Sequence, residues 1–160
     1  MPDAISNTSP ILYLYRIGVL NWLPQLFGEV WIPAAVVDEL KDGLQRGHDV
    51  PNPENYEWLQ VVDPQSMPSE WLSLDLGGGE LAAMALALEN RNRIVILDDL
   101  LARRTAQAAE LIVWGTLKVL LEAKKQGLTE SVAPAVDNLV ISGMWISEDV
   151  RRRILELAGE

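Results

Sequence analysis

Hydrophobic and polar positions along the chain form two kinds of segment, short apolar runs typical of strands and longer stretches with helical spacing. Pro, Gly and Asn separate these segments. Short apolar or β-branched runs predict strands at residues 4–6, 29–33, 59–63, 93–99 and 111–113. Apolar residues at helical spacing predict helices over residues 10–23, 34–47, 80–90, 100–109, 129–142 and 147–158, and another that begins near Thr116. Strands alternating with helices indicate a mostly parallel sheet, because parallel strands need crossover connections. The fold class is therefore α/β.

The composition is that of a globular protein, with 49% hydrophobic and 22% charged residues in a chain of 160. This length suits a single domain. No cysteine is present, which excludes disulfides and thiolate metal sites. We expect a cytoplasmic protein with no membrane partner, because the N-terminal segment lacks a signal-peptide pattern and no run reaches the roughly 18 to 20 apolar residues that span a bilayer.

The net charge of −10 bears on possible ligands. Non-specific binding to nucleic acid needs clustered Lys and Arg facing the phosphates. Two interpretations therefore remain open. Either nucleic acid is not the ligand, or part of the acidity is concentrated in a pocket where bound cations offset it.

Polar residues follow several predicted strands, and the carboxyl ends of parallel strands are where such sheets bind ligands. The candidates are Asn7 and Ser9 after the first strand, Asp38 and Glu39 after the second, Glu80 after the glycines at 77–79, and Asp98 and Asp99 after the fourth. Carboxylates with no Cys and a single His suit a hard cation, Mg²⁺ or Mn²⁺. Such an ion polarises a phosphodiester and lowers the pKa of a bound water, so phosphodiester hydrolysis is the expected chemistry.

Each candidate also has a purely structural interpretation. Glu39 fits a solvated helix face, and Glu80 fits a residue that favours the helix dipole. One of Asp98 and Asp99 would cap the next helix, which leaves the other unexplained. Arg103 either neutralises the acids or contacts a phosphate, or it is a solvated helix residue.

Five segments, ISNTSP, IPAAVVDEL, LGGGELAAMALA, VILDDLLARR and WGTLKVLLEAKKQG, resemble in order and spacing an uncharacterised branch of the PIN-domain superfamily related to the VapC-type toxin ribonucleases. The resemblance implies a three-layer α/β/α sandwich in a single domain over residues 1–160. Its core covers about residues 4–127, and C-terminal helices cover about 129–158. It also implies an Mg²⁺- or Mn²⁺-dependent ribonuclease with RNA as substrate, and as partners an antitoxin protein and a second copy of the chain.

By this resemblance, Glu39, Glu80, Asp98 and Asp99 are the expected catalytic and metal-binding acids. Asn7 stands where the family usually has an aspartate, and we expect it to join the metal ligands through its amide oxygen. Ser9 and Thr116 match small hydroxyl positions of the same site. Together with Arg103 they are the expected substrate-binding or supporting residues.

Three hypotheses follow from the sequence. The first is a metal-dependent endoribonuclease in which the acids named above bind the metal. This enzyme would act as the toxin of a toxin–antitoxin pair. The second is a catalytically degenerate PIN scaffold that binds a protein or RNA partner, which the amide at Asn7 motivates. The third is an unrelated α/β enzyme of phosphorylated metabolites. For the dimer, the N-terminal helix with Leu12, Tyr13 and Tyr15 is either the contact face or is buried within one chain.

Overall fold

Five strands and eight α-helices alternate along residues 1–160, all of which the computed structural model describes. The strands are β1 (Ala4–Ser6), β2 (Val30–Ile32), β3 (Leu59–Val61), β4 (Ile94–Ile96) and β5 (Ile112–Trp114). The helices are α1 (Thr8–Arg16), α2 (Trp22–Leu26), α3 (Ala34–Gln45), α4 (Gly78–Glu89), α5 (Leu100–Ala108), α6 (Thr116–Lys125), α7 (Ala133–Ile141) and α8 (Glu148–Leu157). Two 3-10 turns, Pro53–Asn55 and Ser69–Ser73, lie in the connections on either side of β3.

The strands form one sheet in the order β3-β2-β1-β4-β5, and every neighbouring pair is parallel. The predicted α/β class is confirmed, and the sheet is parallel throughout rather than mostly. From β1 the chain adds β2 and β3 on one side, then crosses to add β4 and β5 on the other. The direction of winding therefore reverses between β1 and β4, and such a switch point opens a crevice beyond the carboxyl ends of these strands.

Alternate strand residues enter two hydrophobic clusters, one on each face of the sheet. Ala4, Ile94 and Ile96 belong to the first core cluster, which joins the sheet to α1, α2, α3, α6, α7 and α8. Ile5 and Val95 belong to the second core cluster, which joins it to α4 and α5. Helices thus cover both faces, and the three-layer α/β/α sandwich is confirmed.

The predicted single helix over residues 10–23 is wrong in one respect. The structure divides this segment into α1 and α2, and Gly18 between them has φ +78°. A residue in the left-handed backbone conformation ends a helix, and glycine adopts this conformation without a steric penalty. Apolar spacing continues across the break because Leu20 and Leu23 still enter the first core cluster.

The outer side of α1 is half-buried rather than free. Leu12, Tyr13 and Tyr15 all pack against the first core cluster of the same chain. Of the two interpretations offered for this helix, burial within one chain accounts for these side chains.

The C-terminal helices fold back onto the sheet. Val136 and Leu139 of α7 and Ile154 of α8 are buried in the first core cluster. Helix α7 begins at Ala133, four residues later than predicted, and Pro134 occupies its first turn, where no intrahelical N–H donor is required. None of the helices has the combined length and hydrophobicity that crossing a bilayer would require.

Candidate active site

The residues that follow β1 and β4 meet at the switch point of the sheet. Asn7 comes directly after β1, and its backbone N–H donates to the carbonyl of Ile96 in β4 at 3.3 Å. The Asn7 side chain is buried, with 4% of the residue exposed. Its Oδ1 accepts a hydrogen bond from the Thr8 N–H at 2.6 Å, so Asn7 caps α1.

Asp98 follows β4 and contacts the helices α1 and α6 beyond the edge of the sheet. One oxygen, Oδ1, accepts from the Thr116 N–H at 2.8 Å. The other, Oδ2, accepts from the Thr116 hydroxyl at 2.7 Å and from the Ser9 hydroxyl at 3.1 Å. These contacts fix Asp98 between the first turns of α1 and α6. Ser9 and Thr116, which the resemblance placed in one site, thus both contact Asp98.

Asp99 caps the next helix, as one member of the acid pair was expected to do. Its Oδ2 accepts from the Ala102 N–H at 3.0 Å, and the residue is exposed. Asp98 is the acid that this capping interpretation left unexplained. Its contacts belong to α1 and α6, not to α5.

Glu80 lies in the first turn of α4 with one oxygen paired and one not. Oε1 accepts from the Gly77 N–H at 3.3 Å, while Oε2 is buried and has no hydrogen-bond partner. Burial raises the pKa of the Glu80 carboxyl above its ordinary value. The negative charges of Asp99 and Glu39 raise this pKa further, and the hydrogen bond from Gly77 partly opposes the rise. An acid with an unpaired buried oxygen beside other acids is a favourable position for a cation.

Glu39 binds the start of α4 from α3. Its Oε1 accepts from the Gly79 N–H at 2.9 Å, and its Oε2 accepts from the Thr8 hydroxyl. A Cβ at position 79 would lie 2.8 Å from both carboxylate oxygens, so only glycine allows this approach. Gly79 therefore permits the contact between α3 and the start of α4.

A cavity of about 330 Å³ opens among these residues. Its lining comprises Asn7, Ser9, Tyr13, Glu80, Asp98, Asp99, Met144 and Trp145. Five of the expected site residues thus share one cavity. Glu39, Arg103 and Thr116 do not line it: Glu39 lies behind the first turn of α4, and Thr116 is fully buried against Asp98.

The donor set of this cavity fits a hard divalent cation. Carboxylates of Glu80, Asp98 and Asp99 and the side chain of Asn7 supply oxygen atoms, which Mg²⁺ and Mn²⁺ prefer, and the unpaired Oε2 of Glu80 has no other partner. The acids are not already gathered, since no three His, Asp or Glu side chains are arranged as a ready set of metal ligands. Asp98 and Asp99 accept hydrogen bonds from Ser9, Thr116 and backbone N–H groups.

The comparison with protein families decides what kind of fold carries this cavity. A family model described as a PIN domain matches residues 3–160, nearly the whole chain. The chain belongs to the PIN-domain family. The resemblance inferred from the sequence motifs is confirmed at this level. No curated protein matches the chain at a significant level. PIN domains are generally nucleases that use divalent metals, so family membership and the acidic cavity agree on the class of chemistry.

Arg103 of this PIN domain lies beside the acids without being paired to one. It is half-buried, its Nε is buried with no acceptor, and no carboxylate is within ion-pairing distance. A Cβ at Gly115 would lie 3.4 Å from Asp98 Oδ1 and 3.5 Å from an Arg103 Nη, so both groups flank this glycine. The side chain of Arg103 therefore lies near Asp98 at the edge of the sheet, and its contact with a phosphate stays a prediction.

Sequence reasoning missed several residues of the PIN-domain cavity. Tyr13 follows Ser9 by four positions in α1, so helical spacing alone places the two on one face. No local signal identifies Met144 and Trp145, which lie in the connection between α7 and α8 and reach the cavity only because these helices fold back. The pairing of Glu39 with Gly79, 40 positions apart, also depends on tertiary structure.

Proposed function

We propose that this PIN domain is a metal-dependent ribonuclease that hydrolyses phosphodiester bonds of RNA. The observation that carries the proposal is the convergence of Glu80, Asp98 and Asp99 on one cavity at the switch point of a PIN fold. Hydrolysis of a phosphodiester develops negative charge on oxygen, and acids alone would oppose it. A cation among these acids removes that opposition.

Each residue has a distinct part in this proposal. Glu80, Asp98 and Asp99 would hold Mg²⁺ or Mn²⁺, and Asn7 would add an amide oxygen without charge. When bound, the ion would polarise the phosphodiester and lower the pKa of a water molecule. Ser9 orients Asp98 through its hydroxyl group.

The remaining expected residues act from outside the cavity. Thr116 holds both oxygens of Asp98 in place. Glu39 adds negative charge nearby while it accepts hydrogen bonds from Thr8 and Gly79, and its carboxylate oxygens keep lone pairs for a cation. Arg103 is available to the phosphate of a substrate, since no carboxylate of the chain pairs with it.

The deciding experiment is cleavage of a mixed, structured RNA pool with and without Mn²⁺. We expect the wild-type protein to cleave only with the metal, and the Asp98→Asn/Asp99→Asn double variant to be inactive at matched folding. Asp38→Asn is the control, because this exposed acid adjoins Glu39 but lines no cavity. Equal cleavage by the double variant would refute the assignment of the acids.

A toxin role in the cytoplasm extends the same proposal and rests on the resemblance to VapC-type toxins. Expression of the wild-type chain would then arrest growth, whereas the inactive double variant would not. Co-expression of a cognate antitoxin would restore growth. A dimer belongs to this extended proposal too, and sedimentation measures it directly.

A second function is favoured by one specific observation, the amide at Asn7. Asn7 caps α1 and brings no charge to the cavity, so a catalytically degenerate scaffold that binds a protein or RNA partner is the competing candidate. Titration with Mn²⁺ separates the two candidates, because a degenerate site would show no saturable binding. In the nuclease, Asn7→Asp should strengthen Mn²⁺ binding, since it adds a negative charge beside the other acids.

A further inference from the structure

A second cavity of about 600 Å³ adjoins the acidic one between α5, α6 and α8. Asp98, Met144 and Trp145 line both cavities, so the two cavities adjoin along these side chains. The lining of this groove is mostly apolar, including Leu117 of α6, but Arg103 and Lys118 add two cations. A ligand that occupies the groove would therefore reach the acids.

Trp145 stands on the boundary between the two cavities with 86% of its surface exposed. Its chain neighbours Met144 and Ile146 pack against the first core cluster, so the connection between α7 and α8 is anchored on both sides of it. The intervening side chain is consequently turned outward. An exposed indole in an anchored segment is a flat apolar surface without a partner in the chain.

The two cations of the groove differ in what they contact. Lys118 is paired with Glu122 at 2.9 Å, and this pairing lowers the pKa of the Glu122 carboxyl. Arg103 has no ion pair, and it lies across Gly115 from Asp98. Arg103 is thus the cation that remains available to an anionic ligand.

We propose that this groove is a nucleotide subsite, in which one base of the RNA stacks on Trp145 and the adjacent phosphate binds Arg103. The inference rests on the proposed ribonuclease function and makes Trp145 a substrate-binding residue of it. An unpaired base has the flat face that an exposed indole accepts, and an arginine recognises phosphate in the geometry of its planar fork. Because Asp98 lines the groove as well as the acidic cavity, such a nucleotide would lie next to one of the proposed metal-binding acids.

The unpaired Arg103 beside the exposed Trp145 favours RNA over a protein partner as the occupant. In a chain of net charge −10, this arginine is a cation beside the acids that can compensate the charge of one phosphate. Occupation by a second copy of the chain or by another protein is the alternative that the experiment must be able to reveal.

Binding is measured first, in the Glu80→Gln background, because Glu80 lines the acidic cavity but not the groove. The probe is a labelled single-stranded RNA oligonucleotide of mixed sequence, followed by fluorescence anisotropy in Mn²⁺. Trp145→Ala should weaken binding by roughly 5- to 150-fold, the range for loss of one stacked base. Trp145→Phe should restore most of the affinity. Ile141→Ala is the matched control, since this residue is 82% exposed and lines neither cavity.

Two further measurements identify the occupant. An abasic site is moved one position at a time along the oligonucleotide. It should weaken binding to the protein with Trp145 at one of these positions, and should have no effect on binding to Trp145→Ala. Arg103→Gln should reduce the slope of log affinity against log salt by about 0.7, the value for one phosphate contact on a single strand.

The outcomes separate the subsite from the ribonuclease proposal. If wild-type protein cleaves RNA but Trp145→Ala binds and cleaves normally, the subsite is wrong and the nuclease stands. If RNA is not cleaved but binding still depends on Trp145, the subsite stands and the nuclease fails. If Trp145→Ala leaves RNA binding unchanged but converts a dimer to monomers in sedimentation, the groove is a protein interface. Absence of any RNA binding also overturns the subsite.

Discussion

Substituting Gly79 by Ala tests how the start of α4 is held, independently of any activity. The added Cβ would lie 2.8 Å from both oxygens of Glu39 and 3.0 Å from its carboxyl carbon. Because these atoms end a flexible side chain, we expect Glu39 to withdraw and the backbone to stay in place. Glu39 then loses its hydrogen bond from the Gly79 N–H, and its contact with Thr8 is displaced.

The size of the effect follows from two opposing terms. A hydrogen bond to a charged group contributes about 1.5 to 3 kcal/mol, and exposure of Glu39 favours the lower end. Replacing a helical glycine by alanine offsets about 0.5 to 1 kcal/mol of this loss. The net change in Gly79→Ala is a decrease of about 1 kcal/mol in the free energy of unfolding. For a chain of this length, about 1 kcal/mol corresponds to a fall in Tm of about 2 to 4 °C.

The assay is a double-mutant cycle measured by urea denaturation. In a Glu39→Ala background the carboxylate is absent, so Gly79→Ala should become stabilising by about 0.5 to 1 kcal/mol. Gly78→Ala serves as the control in both backgrounds, since a Cβ there meets nothing within 4 Å. If Gly79→Ala destabilises the protein equally with and without Glu39, the contact between them is not the cause and the reasoning fails.

Two further predictions concern the acids of the cavity. Because burial raises the pKa of Glu80, the folded state binds more protons than the unfolded state between the ordinary and the raised value, and stability falls as pH rises through this window. Glu80→Gln should therefore have a higher Tm than wild type at neutral pH without metal, and the difference should vanish below the ordinary carboxyl pKa; a lower Tm at neutral pH would contradict the assigned cause. Asp99→Ala removes a helix cap and should cost about 1 kcal/mol, whereas Asp98→Ala leaves the buried Thr116 N–H without an acceptor and should cost about 2 to 3 kcal/mol. Thermal denaturation measures the stability of both variants. Equal losses would mean that the hydrogen bonds of Asp98 with Thr116 and Ser9 add nothing to the stability of the protein.

The local order of elements was readable from the sequence because hydrophobic period and chain punctuation are local properties. The run RIVILDD at 93–99 predicts a buried strand that ends in acids. In the structure its apolar residues alternate between the two core clusters, and the acids follow the strand. Proximity of Asn7 to Asp98 followed from parallel pairing, which gathers the carboxyl ends of strands at one edge. The break at Gly18 was not readable, since apolar spacing runs through it.

Tertiary structure alone decided which side chains meet at that edge. The oxygens of Glu39 accept hydrogen bonds from Thr8 and Gly79 because the strand order brings α1, α3 and α4 together, and its role as a metal ligand stays a prediction. Trp145 was one of six scattered tryptophans in the sequence, and its place beside the acids depends on α7 and α8 returning to the sheet. The sequence by itself determined the class of fold and the oxygen-rich chemistry, since both depend on residue type and spacing. Contacts between residues distant along the chain depend on how the layers pack, and no local pattern records that.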